Sequence, residues 1–102
     1  MKDLIDTVEF MLSNDYKERF ISEYYQTEIR YNKLHEMIVR YEANTLNFEP
    51  KCSIEILKKQ ASYMGNYLYM LEVRAEIEGI ELWEIYIDSV RKRNRYIFYR
   101  RR

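Results

Sequence analysis

Between residues 53 and 78 the chain carries Ile54, Leu57, Ala61, Met64, Leu68, Leu71 and Ala75, apolar side chains at alternating spacings of three and four. That spacing keeps them on one side of a helix and makes a seam on which a second helix can pack. Beside the seam, Gln60, Tyr67 and Arg74 recur every seven residues. An amide, a phenol and a guanidinium therefore line up next to the apolar stripe rather than behind it.

Residues 15–43 hold the matching stripe: Phe20, Tyr24, Thr27, Tyr31, Leu34, Ile38 and Tyr41. At about 1.5 Å per residue each segment is roughly 40 Å long, so the two run antiparallel along their full lengths. Residues 44–52, NTLNFEPKC, hold the only proline and reverse the chain. Ser53 caps the second long helix, and Glu55 is favourably placed in its first turn. Asp15, with Glu18 three residues on, predicts a capping box for the first. Gly79 takes the left-handed conformation that ends a helix, with Ile80 folding back on the last turn. Gly65, inside the second long helix, costs about 1 kcal/mol against alanine and is assigned to close helix packing.

Ahead of the hairpin, Leu4, Ile5, Val8, Met11 and Leu12 predict a short amphipathic helix over residues 2–12, too short to stand alone. With two glycines and one proline, strand-and-turn architectures lack their punctuation. The fold expected is all-α: a short N-terminal helix and a long antiparallel helical hairpin in one domain, residues 1–80, followed by an extension, residues 81–102. Residues 80–90, IELWEIYIDSV, which run into the extension, fit either a short helix or an extended segment in which Trp83, Ile85 and Ile87 alternate, with helix preferred. The stretch from Arg91 to Arg102 interleaves seven basic residues with Tyr96, Phe98 and Tyr99, which suits weak contact with nucleic acid.

Two antiparallel helices do not enclose a core. Ile21, Tyr25 and Tyr41 on the first helix and Tyr63, Met64, Met70 and Val73 on the second form further flanks, and self-association into a homo-oligomer covers them. Eleven tyrosines fit the same picture, since a phenol buries a ring and keeps a wet tip. No stretch reaches the roughly 20 apolar residues of a membrane span, and the acidic start lacks the apolar core of a signal peptide. The expected location is cytoplasmic, in keeping with a single cysteine, Cys52.

Catalysis is not expected. His35 has Glu36 beside it rather than one turn away, Cys52 has no base near it in sequence, and Glu72 with Glu76 has no histidine to complete a metal site. No cofactor or metal is expected.

The run ERFISEYYQTEIRYNKLHEMI, a turn, then CSIEILKKQASYMGNYLYMLEVRAE resembles a family of small phage helical hairpins. That family includes proteins of crAss-like phages and the cyclic-nucleotide sponges that oppose CBASS and Thoeris immunity. Arg19, Ile21, Glu23, Leu34, Ile38, Leu57, Gln60, Met64, Tyr67, Leu71 and Arg74 carry the resemblance, which covers residues 15–78. It implies a phage anti-defence protein acting in the cytoplasm of the infected bacterium, a homohexamer holding a cyclic di- or trinucleotide between protomers without cleaving it. The ligand-binding residues it implies are Arg19, Glu23, Gln60, Met64, Tyr67 and Arg74. Their chemistry agrees, since guanidinium groups suit phosphates and aromatic planes suit bases. The alternative, from another class, is a non-catalytic helical oligomerisation protein whose basic tail touches nucleic acid.

Overall fold

The computed structural model describes residues 1–82; the expectations for residues 83–102, including the basic tail, lie outside the described residues. All regular structure described is helical. A 3₁₀ turn, Leu4–Thr7, runs into a single α-turn, α1 (Val8–Met11), and the two long helices follow, α2 (Tyr16–Glu42) and α3 (Ile54–Glu78).

The long helices pack antiparallel, as their stripes predict. Tyr16 meets Glu78 near one end, the Tyr24 hydroxyl donates to Glu72 Oε2 at 2.7 Å, and Lys58 pairs with Glu42 near the turn. The Glu42 carboxylate holds the Lys58 ammonium above its ordinary pKa. In the seam, Phe20, Tyr24 and Tyr31 of α2 are buried against Leu68, Leu71 and Ala75 of α3. Burial fades toward the turn, where Ile54, Leu57, Ala61 and Met64 are only half-buried. Gly65 lies under Tyr31: a methyl group there would sit 3.5 Å from the Tyr31 ring, an ordinary contact. The helices are close here, but an alanine would fit as well, so close packing does not by itself require the glycine.

Both ends of the hairpin turn are capped as their residues allow. Asn44 takes the left-handed conformation at φ 61°, and the N–H of Thr45 reaches back to the Arg40 carbonyl at 2.8 Å, closing the last turn of α2. Ser53 accepts from the Ile56 N–H at 3.3 Å and starts α3. At the far end Gly79, at φ 74°, ends α3, and the Ile80 N–H bonds the Ala75 carbonyl at 2.8 Å. Asp15 caps α2 through the Lys17 N–H at 2.9 Å, but the expected box with Glu18 does not form. Glu18 instead accepts from the Ser13 hydroxyl at 2.6 Å, and the Ser13 oxygen in turn accepts from the Asp15 N–H at 3.0 Å, so the donor that the box would give Glu18 is already taken.

The N-terminal segment is less helical than its periodicity predicts. Asp6 accepts from the N–H groups of both Asp3 and Lys2, which holds its carboxyl below the usual 3.8. The Thr7 hydroxyl donates to the Leu4 carbonyl at 2.7 Å. Side chains thus satisfy the backbone within a tight turn, in competition with a regular helix. Ile5 and Leu12, assigned to the packing face, are each 75% exposed. Gln26 of α2 holds the segment, donating from its amide to Thr7 at 3.1 Å and to the Met11 sulfur at 3.1 Å.

Tyr25 also departs from expectation: it is buried rather than left on an open flank. Its ring stands edge-on to Tyr24 at 5.3 Å, and its hydroxyl donates to the Leu82 carbonyl at 2.6 Å. The chain after α3 turns inward, so that Ile80 and Leu82 join the core and cover Tyr25.

Two substitutions test this packing. Gly65→Ala is expected to raise stability by about 1 kcal/mol, read as a higher denaturant midpoint, whereas Gly65→Leu lowers it by driving into Tyr31. Tyr25→Phe is expected to cost about 1–3 kcal/mol, because it strips a buried carbonyl of its donor; an unchanged midpoint would show that Leu82 does not depend on it.

Candidate functional site

One face of α3 remains outside the hairpin core. Ile56, Lys59, Gln60, Tyr63, Met64 and Tyr67 line an open groove of about 470 Å³ on it, with Tyr63 63% and Ile56 57% exposed. Their spacings of three and four put them on one side of the helix, one step round from the packing seam. Gln60 leans on Met64, its amide 3.8 Å from the sulfur. The groove thus offers two phenol rings, a thioether and an amide edge, with an ammonium at its rim.

Seven residues beyond Tyr67, about 10 Å along the helix, the stripe reaches Arg74. Its side chain is held from two helices. Nε donates to Glu78 Oε2 at 3.2 Å, and Nη2 donates to the Tyr16 hydroxyl at 2.7 Å. The guanidinium carbon also stands 4.9 Å over the centre of the Phe20 ring. Tyr16 passes the network on, donating to Glu78 Oε1 at 2.9 Å. That bond to Glu78 holds the Tyr16 phenol above its ordinary value of 10.0, and Glu78 likewise raises the guanidinium of Arg74.

The six residues assigned from sequence therefore fall into separate places. Gln60, Met64 and Tyr67 share the groove. Glu23 lies close enough to Arg74 for its charge to add to the guanidinium's stabilisation. Arg19 is at the same end of the hairpin, but its guanidinium donates to the Ser13 carbonyl at 2.8 Å and does not line the groove. Tyr16, Phe20, Glu78, Lys59 and Tyr63 join these places without a signal in the seven-residue stripe. Tyr63 and Lys59 are legible from the three-and-four spacing of the groove face; Tyr16 and Glu78 lie far apart in sequence and meet only because the helices are antiparallel.

His35 and Glu72 have structural contacts. The His35 ring stacks on Tyr31 at 6.0 Å and 11°, Glu72 accepts from Tyr24, and Cys52 is an exposed thiol. Among the described residues no cluster of three or more metal-ligating side chains occurs, and no helix is long and apolar enough to cross a membrane.

A family model described as Sequestin matches residues 14–77, more than half of the chain, and spans α2, the turn and all of α3 but its last residue. No curated protein and no solved structure matches the chain.

The Tyr16 contact has a pH signature. Because its folded pKa is raised above 10.0, the stability it lends is complete below that pH and is lost as pH rises through the folded value. In a difference absorbance titration of wild type against Tyr16→Phe, the missing phenol is expected to titrate above pH 10.0. Titration at the ordinary value would show that Glu78 does not accept from it in solution.

Proposed function

We propose that this chain, which belongs to the Sequestin family, binds cyclic oligonucleotide second messengers and holds them without cleaving them. The observation that carries this is the α3 face, where the groove of Gln60, Tyr63, Met64 and Tyr67 is followed on the same stripe by Arg74. A cyclic di- or trinucleotide presents flat bases and charged phosphates, which match ring faces and a guanidinium respectively. The family's name is that of a sequestering protein, and retention without chemistry needs only such contacts.

One groove is too open for the task. Small-molecule sites bury most of their ligand's surface, and a single helix face covers one side of it. A second copy laid on the same face supplies the other side, and a symmetric ligand then meets each residue twice. The proposal therefore includes a homo-oligomer, a hexamer in the arrangement that the resemblance implies, acting in the cytoplasm of an infected bacterium against the immune signal those messengers carry. The resemblance also implies Arg19 as a ligand contact, a role that would require its guanidinium to leave the Ser13 carbonyl.

Calorimetry with a panel of cyclic di- and trinucleotides, together with light scattering, tests this. The expected result is binding by an oligomer larger than a dimer, release of unchanged ligand on heating, and at least a tenfold loss of affinity in Arg74→Ala and in Tyr67→Ala, about the worth of one charge-assisted or stacking contact. An intact oligomer that gives no heat with any of them would turn the reading to an interaction protein whose α3 face is only an interface.

A further inference from the structure

We infer that the carboxylate of Glu78 is a tethered stand-in for a ligand phosphate, occupying an anion cradle formed by Tyr16 of α2 and Arg74 of α3. The inference deepens the function proposed above, and rests on it for the origin of the phosphate.

The geometry is that of an anion held by two donors. Arg74 Nε–H reaches Glu78 Oε2 at 3.2 Å while the Tyr16 hydroxyl reaches Oε1 at 2.9 Å, so each carboxylate oxygen has its own donor from a different helix. Arg74 Nη2 bonds the Tyr16 oxygen at 2.7 Å, which aligns the two donors, and the Phe20 ring supports the guanidinium from beneath. Two oxygens of a phosphate have the same requirements as the two of a carboxylate, with more charge to offer.

Position adds a second argument. Glu78 is the last residue of α3, where the helix dipole disfavours a carboxylate, and the last turn carries no basic residue. What favours an acid there is the cradle, beside the N-terminal end of α2 that begins at Tyr16. The side chains of Arg74 and Glu78 are 47% and 33% exposed, so water and solutes reach the pair, and an exposed ion pair is weak enough to exchange. The Glu78 carboxylate bonds only the Tyr16 and Arg74 side chains, so it can swing outward by rotation about its own side-chain bonds while the backbone hydrogen bonds of the helix stay in place. Glu78 then does two things: it holds Arg74 extended before ligand arrives, and it sets a threshold that weak anions do not cross.

The test uses the full chain as wild type, Glu78→Gln, Glu78→Asp and Glu78→Gln with Tyr16→Phe, titrated at low salt with pyrophosphate and with the cyclic oligonucleotide panel. Glu78→Gln is expected to bind pyrophosphate about tenfold more tightly than wild type, the effect of removing one charged competitor. Glu78→Asp, which keeps the charge but shortens its reach, gives a smaller gain, and the double variant loses the gain. Pyrophosphate affinity no higher in Glu78→Gln than in wild type, with helicity and mass unchanged, overturns the inference. Should Glu78→Gln lose helicity, Glu78→Asp decides alone, and no gain there overturns it. A gain for pyrophosphate with no heat from any cyclic oligonucleotide keeps the cradle and removes the proposed function; cyclic-oligonucleotide binding by wild type without either gain does the reverse.

Discussion

Everything described in this chain depends on the register of α2 against α3. Tyr24, Leu68 and Leu71 are almost fully buried where the two helices cross, and burying one leucine is worth about 1.5–3 kcal/mol, more than a solvent-exposed pair such as Lys58 with Glu42 returns. The bond from Tyr24 to Glu72 adds direction to that apolar contact. A shift of either helix by one turn would separate this pair, and with it Tyr25 from Leu82. The charged contacts at either end follow from the seam; they do not create it.

The same register makes the two ends of the hairpin unlike. At the end formed by the start of α2 and the finish of α3, aromatic rings fill the gap: Phe20, Tyr24 and Tyr25 pack beneath Ile80 and Leu82. Toward the turn the seam residues are smaller or only half-buried, and the large side chains of α3, Ile56, Tyr63 and Tyr67, face outward into the groove. Aromatic residues are thus spent on the core at one end and displayed at the other. Arg74 stands at the boundary, attached by Tyr16, Phe20 and Glu78 to the well-packed end while its position on α3 continues the displayed stripe. A guanidinium anchored in this way is held on firm structure, and the groove beside it stays open.

Much of this was determined by the sequence alone. Alternating spacings of three and four are a property of one chain segment, and they set both long helices and the groove stripe of Gln60, Met64 and Tyr67, while residue types set the turn and the caps at Asp15, Ser53 and Gly79. What periodicity has no means to encode was decided partly by local side-chain bonds and partly by tertiary structure. In the first segment a helical spacing was present, but Asp6 and Thr7 bonded their own backbone and gave a 3₁₀ turn with one α-turn after it. Glu18 had two partners at similar range and took Ser13. Tyr25 was buried by Leu82, a residue beyond the end of α3, and Arg74 received its partners from Tyr16 and Phe20, more than fifty residues away. Local hydrogen bonds and helix caps are fixed by neighbours in the chain, whereas which side chain meets a distant one is fixed only once the apolar seam has set the register.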